Sequence, residues 1–64
     1  MLHYSHNTHL MFASILQCLN IPYRLKFFKN TLTKEMPKED LNVIVEYCNI
    51  KLETDLKSEL EKAV

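Results

Sequence analysis

Three histidines, His3, His6 and His9, recur at every third position near the start of the chain. Neutral imidazole is a common metal ligand, and residues three apart lie on the same side of a helix. A free amine followed by Met1, Leu2 and His3 is also a pattern that chelates Cu(II) or Ni(II) in a square plane. No carboxylate or paired cysteine accompanies the histidines, so the usual ligand sets are incomplete. We therefore predict no cofactor and no metal, with these three residues as weak metal candidates only.

The same histidines fit two further interpretations. The first, which we favour, is that they lie on a solvated N-terminal segment. The second is a pH-sensitive contact, because imidazoles gain charge below about pH 6.5 and neighbouring charges of one sign repel each other.

The nucleophilic side chains give no sign of catalysis. Cys18 and Cys48 lie in apolar stretches, where a reduced cysteine behaves as a small buried hydrophobe. A single disulfide between the first and last helices is the alternative in an oxidising compartment, but two cysteines do not make a disulfide framework. Ser5, Ser14 and Ser58 have no base at the spacing that nucleophilic catalysis needs. We expect a cytoplasmic protein that is not an enzyme.

Charge is divided between two segments, although the net charge of the whole chain is zero. Residues 21–38 carry five basic side chains and one acid, a net charge of +4, and residues 39–64 carry three lysines and seven acids, a net charge of −4. Opposite charges favour an antiparallel packing of the last helix against the second, within one chain or between two chains.

The basic segment, residues 24–38, suggests nucleic-acid binding as an alternative function. Lysine and arginine neutralise phosphates, and the interleaved aromatic residues are able to stack on bases. The neutral total charge and the acidic last helix argue against it. The candidate basic patch consists of Arg24, Lys26, Lys29 and Lys34.

The elements that carry these residues are predicted to be helices. The chain has no glycine, a residue that tight hairpin turns favour. Its two prolines, Pro22 and Pro37, divide it into three pieces. The first piece is predicted to be a helix from Ser5 or Asn7, which are good N-caps, to about Asn20. It is apolar on most sides and carries no lysine, arginine or acid, as in a core helix or a helix in an oligomer interface.

The second piece fits two patterns. Ile21, Leu25, Phe28, Leu32 and Met36 are spaced as one stripe on a helix, which we favour. The aromatic residues and threonines also allow a short hairpin at about residues 23–34, which would make the fold α+β.

The third piece is the clearest prediction, a long amphipathic helix from Pro37 to about Ala63. Proline suits the first helical turn, acids follow it, and apolar residues recur at spacings of three and four. A break between Asn49 and Thr54 is the alternative, with Thr54 as the cap of a separate last helix.

Together these patterns predict an all-α chain of two or three helices, a single domain over residues 1–64. A core this small is marginal in stability, so we expect self-association, by default a homodimer. The ten-residue apolar run from Leu10 to Leu19 is too short to cross a membrane. The predicted function is a regulator or inhibitor that binds another protein, of the kind found as accessory proteins in microbes or phages. The predicted oligomer or partner interface consists of Leu10, Phe12, Ile15, Leu16, Leu19, Leu52, Leu56 and Leu60.

Overall fold

The computed structural model of the chain describes residues 4–62, and within that range it is all-α without a strand. The predicted fold class is therefore confirmed, and the alternative hairpin at about residues 23–34 is wrong. Four helices are present in the described range, rather than two or three. The first, α1, is His6–Cys18, and α2 joins three consecutive segments, Ile21–Phe27, Phe28–Leu32 and Thr33–Glu35; α3 is Lys38–Glu46 and α4 is Ile50–Lys62.

The first helix begins at the predicted cap and ends slightly early. The backbone of Ser5 is extended, and its Oγ accepts a hydrogen bond from the backbone N–H of Thr8 at 3.2 Å. The helix ends at Cys18, and Asn20 serves instead as the extended residue before α2. The corner between α1 and α2 is therefore only two residues long.

The middle of α2, Phe28–Leu32, is a π-helix. A π-turn holds more than 3.6 residues, so residues spaced by four stay on the same side. Phe28, Leu32 and Met36 are accordingly all buried. The predicted stripe is confirmed at these positions, but its first member, Ile21, is exposed and does not reach the core.

The single long helix predicted from Pro37 to about Ala63 is wrong. The chain leaves the helix after Glu46, and α4 starts at Ile50 with the side chain of Asn49 as its cap, accepting from the backbone N–H of Leu52 at 2.9 Å. A break is therefore present, as the alternative expected, but it lies at residues 47–49, at the edge of the expected range, and Thr54 is not the cap. Its hydroxyl donates to the carbonyl of Ile50 at 3.1 Å inside α4. Ala63 lies outside the described residues.

This break decides how the core is closed. A straight helix would extend its apolar stripe beyond the rest of a 64-residue chain, whereas the break folds α4 back against α3 and the π-segment of α2. The leucines of α4 then join one core with side chains from the other three helices. Its buried apolar residues are Ala13, Leu16, Phe28, Leu32, Met36, Leu41, Ile44, Val45, Cys48, Leu52, Leu56 and Leu60.

None of the four described helices has the length and apolarity needed to span a bilayer.

Candidate interaction surface

The inner side of α1 packs on the core through residues spaced for one helix face. His9, Ala13 and Leu16 are buried at relative positions i, i+4 and i+7. The ring of Phe12 lies beside this row and packs on Phe27 of α2, with ring centroids 6.3 Å apart. This inner row fixes which side of α1 faces away from the protein.

A buried histidine and carboxylate pair connects α1 to α3. Nε2 of His9 lies 2.8 Å from Oδ1 of Asp40, and the two side chains are 2% and 0% exposed. The same Oδ1 accepts the backbone N–H of Tyr4 at 3.3 Å. Asp40 lies in the first turn of α3, where the helix dipole favours a negative charge. The expectation that the histidines are solvated is therefore wrong for His9.

Two further polar contacts fasten the start of the chain. The hydroxyl of Tyr47 lies 2.9 Å from Nδ1 of His6, and the two rings meet edge to face with centroids 5.4 Å apart. The hydroxyl of Tyr4 donates to the carbonyl of Glu35 at 3.0 Å. Residues 4–9 are thus attached to the end of α2, the start of α3 and the residue that follows α3.

The described histidines do not converge. His6 and His9 have different partners, His3 lies outside the described residues, and residues 4–62 contain no group of three side chains able to hold a metal ion. A histidine oriented by an aspartate also occurs in hydrolases, but there the imidazole reaches the substrate. In this chain both members of the pair are sealed in the core, so their arrangement connects two helices rather than offering a base to a ligand.

The positions of His9 and Asp40 in the sequence contain a signal from which their contact could have been expected. Asp40 precedes Ile44 by four residues, so it lies on the apolar stripe of α3. His9 precedes Ala13 by four residues and Leu16 by seven, so it lies on the apolar stripe of α1. A titratable residue on the core stripe of each of two helices is a reason to expect that the two side chains meet.

Arg24 of the predicted basic patch holds the corner between α1 and α2. Its Nε donates to the carbonyl of Leu16 at 2.7 Å, and a terminal nitrogen donates to the carbonyl of Leu19 at 2.7 Å. These carbonyls lie at the C-terminal end of α1, where helical acceptors are left free. The other three members of the patch, Lys26, Lys29 and Lys34, are exposed.

The two cysteines lie in different environments, and both are free thiols. Cys48 is buried, and burial raises the pKa of its thiol. Cys18 is exposed beside an open pocket of about 520 Å³ at the α1–α2 corner, so the expectation that both cysteines are buried is wrong for Cys18. The pocket walls include Lys51 and Asp55, side chains of opposite charge.

The predicted attraction between the basic and acidic segments is not seen as ion pairs. Among residues 4–62 no ion pair joins α2 to α4, although α4 packs on the π-segment. Lys57 and Glu53 pair within α4 at 3.3 Å, as their i, i+4 spacing predicts.

The outward side of α1 is uncharged and partly apolar. Leu10, Met11 and Ile15 are 41%, 51% and 36% exposed. The same side carries exposed polar residues without charge, and no lysine, arginine or acid occurs anywhere in α1. We call this surface the outer face of α1; it consists of Asn7, Leu10, Met11, Ser14, Ile15 and Cys18.

The predicted interface residues are placed in three environments. Leu10 and Ile15 lie on the outer face, whereas Phe12 and Leu19 are half-buried. The others already lie in the core of the single chain: Leu16, Leu52, Leu56 and Leu60.

No protein-family model, curated protein or solved structure matches this chain.

Proposed function

We propose that the chain is a small, non-enzymatic protein-interaction module that binds through the outer face of α1. The observation that supports this is the combination of exposed Leu10, Met11 and Ile15 with the absence of lysine, arginine and acids from a helix of 13 residues. These residue types make up a quarter of the whole chain, so a helix this long without any of them is unusual for its composition. Interface centres are depleted in charge in the same way.

The other helices supply the contrast. Many exposed positions of α2, α3 and α4 carry lysines and acids, although Ile21 and Tyr23 of α2 and Ile50 of α4 are exposed as well. Isolated exposed apolar residues are common on monomers, but adjacent ones rimmed by polar residues are typical of interaction sites. The apolar members of the outer face lie within two turns of each other.

A module of this size acts by occupying a surface of its partner, as a regulator or inhibitor does. Its rigid helix presents the contact residues already folded, which lowers the entropy cost of binding. Self-association through the same face is part of the proposal, because a small core gains stability when a second copy covers apolar surface.

Affinity capture from the native host with matched variants tests the proposal. We expect the unmodified chain to recover a partner and Met11→Lys to lose it, because the interface would bury an unpaired charge. Ile50→Lys is the control, since it also places a lysine at an exposed apolar position but lies on α4. Circular dichroism should show the same helix content for both variants. Equal recovery by Met11→Lys and Ile50→Lys would contradict the proposal.

Nucleic-acid binding is a second proposal, supported by the exposure of Lys26, Lys29 and Lys34 on α2 and of Tyr23 beside them. Arg24 is engaged at the helix corner, so these lysines would carry the phosphate contacts. Binding of single-stranded DNA should fall steeply between low and moderate salt and disappear in a Lys26→Glu/Lys29→Glu variant. Affinity unchanged by both treatments would exclude this alternative.

A further inference from the structure

The pocket at the α1–α2 corner lies where parts of three helices meet. Its walls come from the last turn of α1, the start of α2 and the first two turns of α4. Its volume of about 520 Å³ is within the range of small-molecule sites, which is about 300–1,000 Å³. Such sites are often built between packed helices.

Two opposite charges, Lys51 and Asp55, line the pocket from successive turns of α4. Both side chains are exposed, and within residues 4–62 no ion pair joins them. The spacing does not prevent pairing, because Glu53 and Lys57 are also four positions apart in α4 and pair at 3.3 Å. The order differs, since an acid before a lysine is the more favourable arrangement on a helix. Both charges in the pocket are therefore available to a ligand.

The rest of the wall combines apolar and polar side chains. Asn20 lines the pocket, and its side chain caps no backbone N–H of α2. Arg24 also lines it and is held in place by its bonds to two carbonyls of α1. The apolar part of the wall consists of Leu19, Ile21, Pro22 and Leu52. Small-molecule sites use apolar walls for contact area and a few polar groups to orient the ligand.

We infer that this pocket binds a short apolar peptide with both ends charged, its carboxylate at Lys51 and its ammonium at Asp55. Lys51 lies in the first turn of α4, where the helix dipole also favours an anion. Side chains four apart on a helix have Cβ atoms about 5–6 Å apart, and two extended residues span at most about 7 Å. The two ends of a dipeptide therefore reach both charges, whereas a single amino acid fills less of the pocket.

Titration with the dipeptide leucyl-leucine at neutral pH, followed by heteronuclear NMR of the full chain, tests this site. We expect saturable shifts of the backbone amides of Asn20 and Lys51, with a dissociation constant of about 1 mM, because exposed ion pairs contribute little. Lys51→Ala and Asp55→Ala should each raise this constant about threefold or more. Glu53→Ala and Lys57→Ala are the matched controls, since both lie on α4 outside the pocket.

Blocked dipeptides assign each end of the ligand to one side chain. N-acetyl-leucyl-leucine has no ammonium and leucyl-leucinamide has no carboxylate, so each should bind the unmodified chain more weakly than leucyl-leucine. Acetylation should no longer weaken binding to Asp55→Ala, and amidation should no longer weaken binding to Lys51→Ala, because the partner charge is already absent. Free leucine should bind more weakly than the dipeptide.

Dipeptide binding is separate from partner binding at the outer face of α1. Met11 does not line the pocket, so Met11→Lys should leave the dissociation constant of the dipeptide unchanged, whether or not it abolishes capture of another protein. Shifts that do not saturate would overturn the site. Equal affinities for leucyl-leucine and both blocked forms, or a constant unchanged by Lys51→Ala and Asp55→Ala, would also overturn it.

Discussion

Two helices of equal length, α1 and α4, differ in how many of their apolar residues are buried within the single chain. Each has 13 residues, and each contributes to the same core. In α4 the three leucines are buried and most exposed positions are polar or charged. In α1 the apolar residues are divided between the core and the outer face, and nothing charged replaces them outside. This difference supports the proposal that α1, and not α4, binds a partner.

The two helices are also attached differently. The core contacts of α4 are leucines, and its cap is the side chain of Asn49. Polar contacts hold α1 at both ends: the pair of His9 and Asp40 near its start, and the side chain of Arg24 at its last carbonyls. Four predictions test this comparison, beginning with the largest expected effect.

Removal of Asp40 should cost the most. Asp40→Leu leaves the buried imidazole of His9 and the amide of Tyr4 without this acceptor, and breaking such a pair typically costs about 3–5 kcal/mol. Urea unfolding followed by circular dichroism measures the loss. The neighbouring Glu39 is exposed, so Glu39→Leu is the matched control.

A double variant sharpens this test. His9→Leu/Asp40→Leu removes both members, and an apolar replacement of a whole buried pair is often close to neutral. We expect it to recover much of the stability that Asp40→Leu loses. If Asp40→Leu and Glu39→Leu were equally stable, the pair would not hold α1 in place.

Truncation of apolar side chains should then distinguish the two helices. Leu56→Ala empties a fully buried site in α4, and we expect a loss of about 3 kcal/mol. Met11→Ala on the outer face of α1 should change the free energy of unfolding of the monomer by less than about 0.5 kcal/mol. Urea unfolding at low protein concentration compares them. Similar losses would mean that Met11 belongs to the core of the single chain.

Loss of a helix cap should have a smaller effect. Asn49→Ala removes the acceptor for the backbone N–H of Leu52, and we expect a loss of about 1 kcal/mol, with Asn49→Asp close to the unmodified chain. Ser5→Ala makes the equivalent change at α1. Thermal unfolding measures both. An Asn49→Ala variant as stable as Asn49→Asp would show that the break does not depend on this cap.

Thiol labelling should distinguish the outer face from the core without changing stability. Cys18 is exposed and should react readily at neutral pH, more slowly where the chain dimerises. Cys48 is buried, and burial raises its pKa, so less of it is the reactive thiolate at that pH. Mass spectrometry of the labelled chain should show Cys48 reacting only after denaturant is added. Rapid labelling of Cys48 in the native chain would contradict its burial.

Local patterns were sufficient for much of this fold. The lack of glycine and the spacings of three and four predicted helices, and Ser5 was one of the two predicted caps, because a cap side chain acts on residues directly after it. The pair of Lys57 and Glu53 also followed from spacing alone. The break before α4 was identified only as an alternative, because Asn49 is compatible with a helix interior as well as with a cap.

The candidate surface was less predictable. The sequence suggested that α1 faces a partner, and the leucines of α4 had the same apolar spacing as an interface helix. Only the tertiary structure distinguishes α1 from α4. The turn at residues 47–49 places Leu52, Leu56 and Leu60 in the core shared with the other helices. Asp40 was interpreted only as an acid at a helix start, since its partner lies 31 positions away.

The helical class and the absence of lysine, arginine and acids from α1 follow from residue type and short-range spacing alone. Packing of the four helices selects which apolar residues are covered within one chain and which face outwards. It also decided that His9 meets Asp40. Burial depends on contacts between residues distant in sequence, and no local pattern specifies the direction in which a helix leaves a turn.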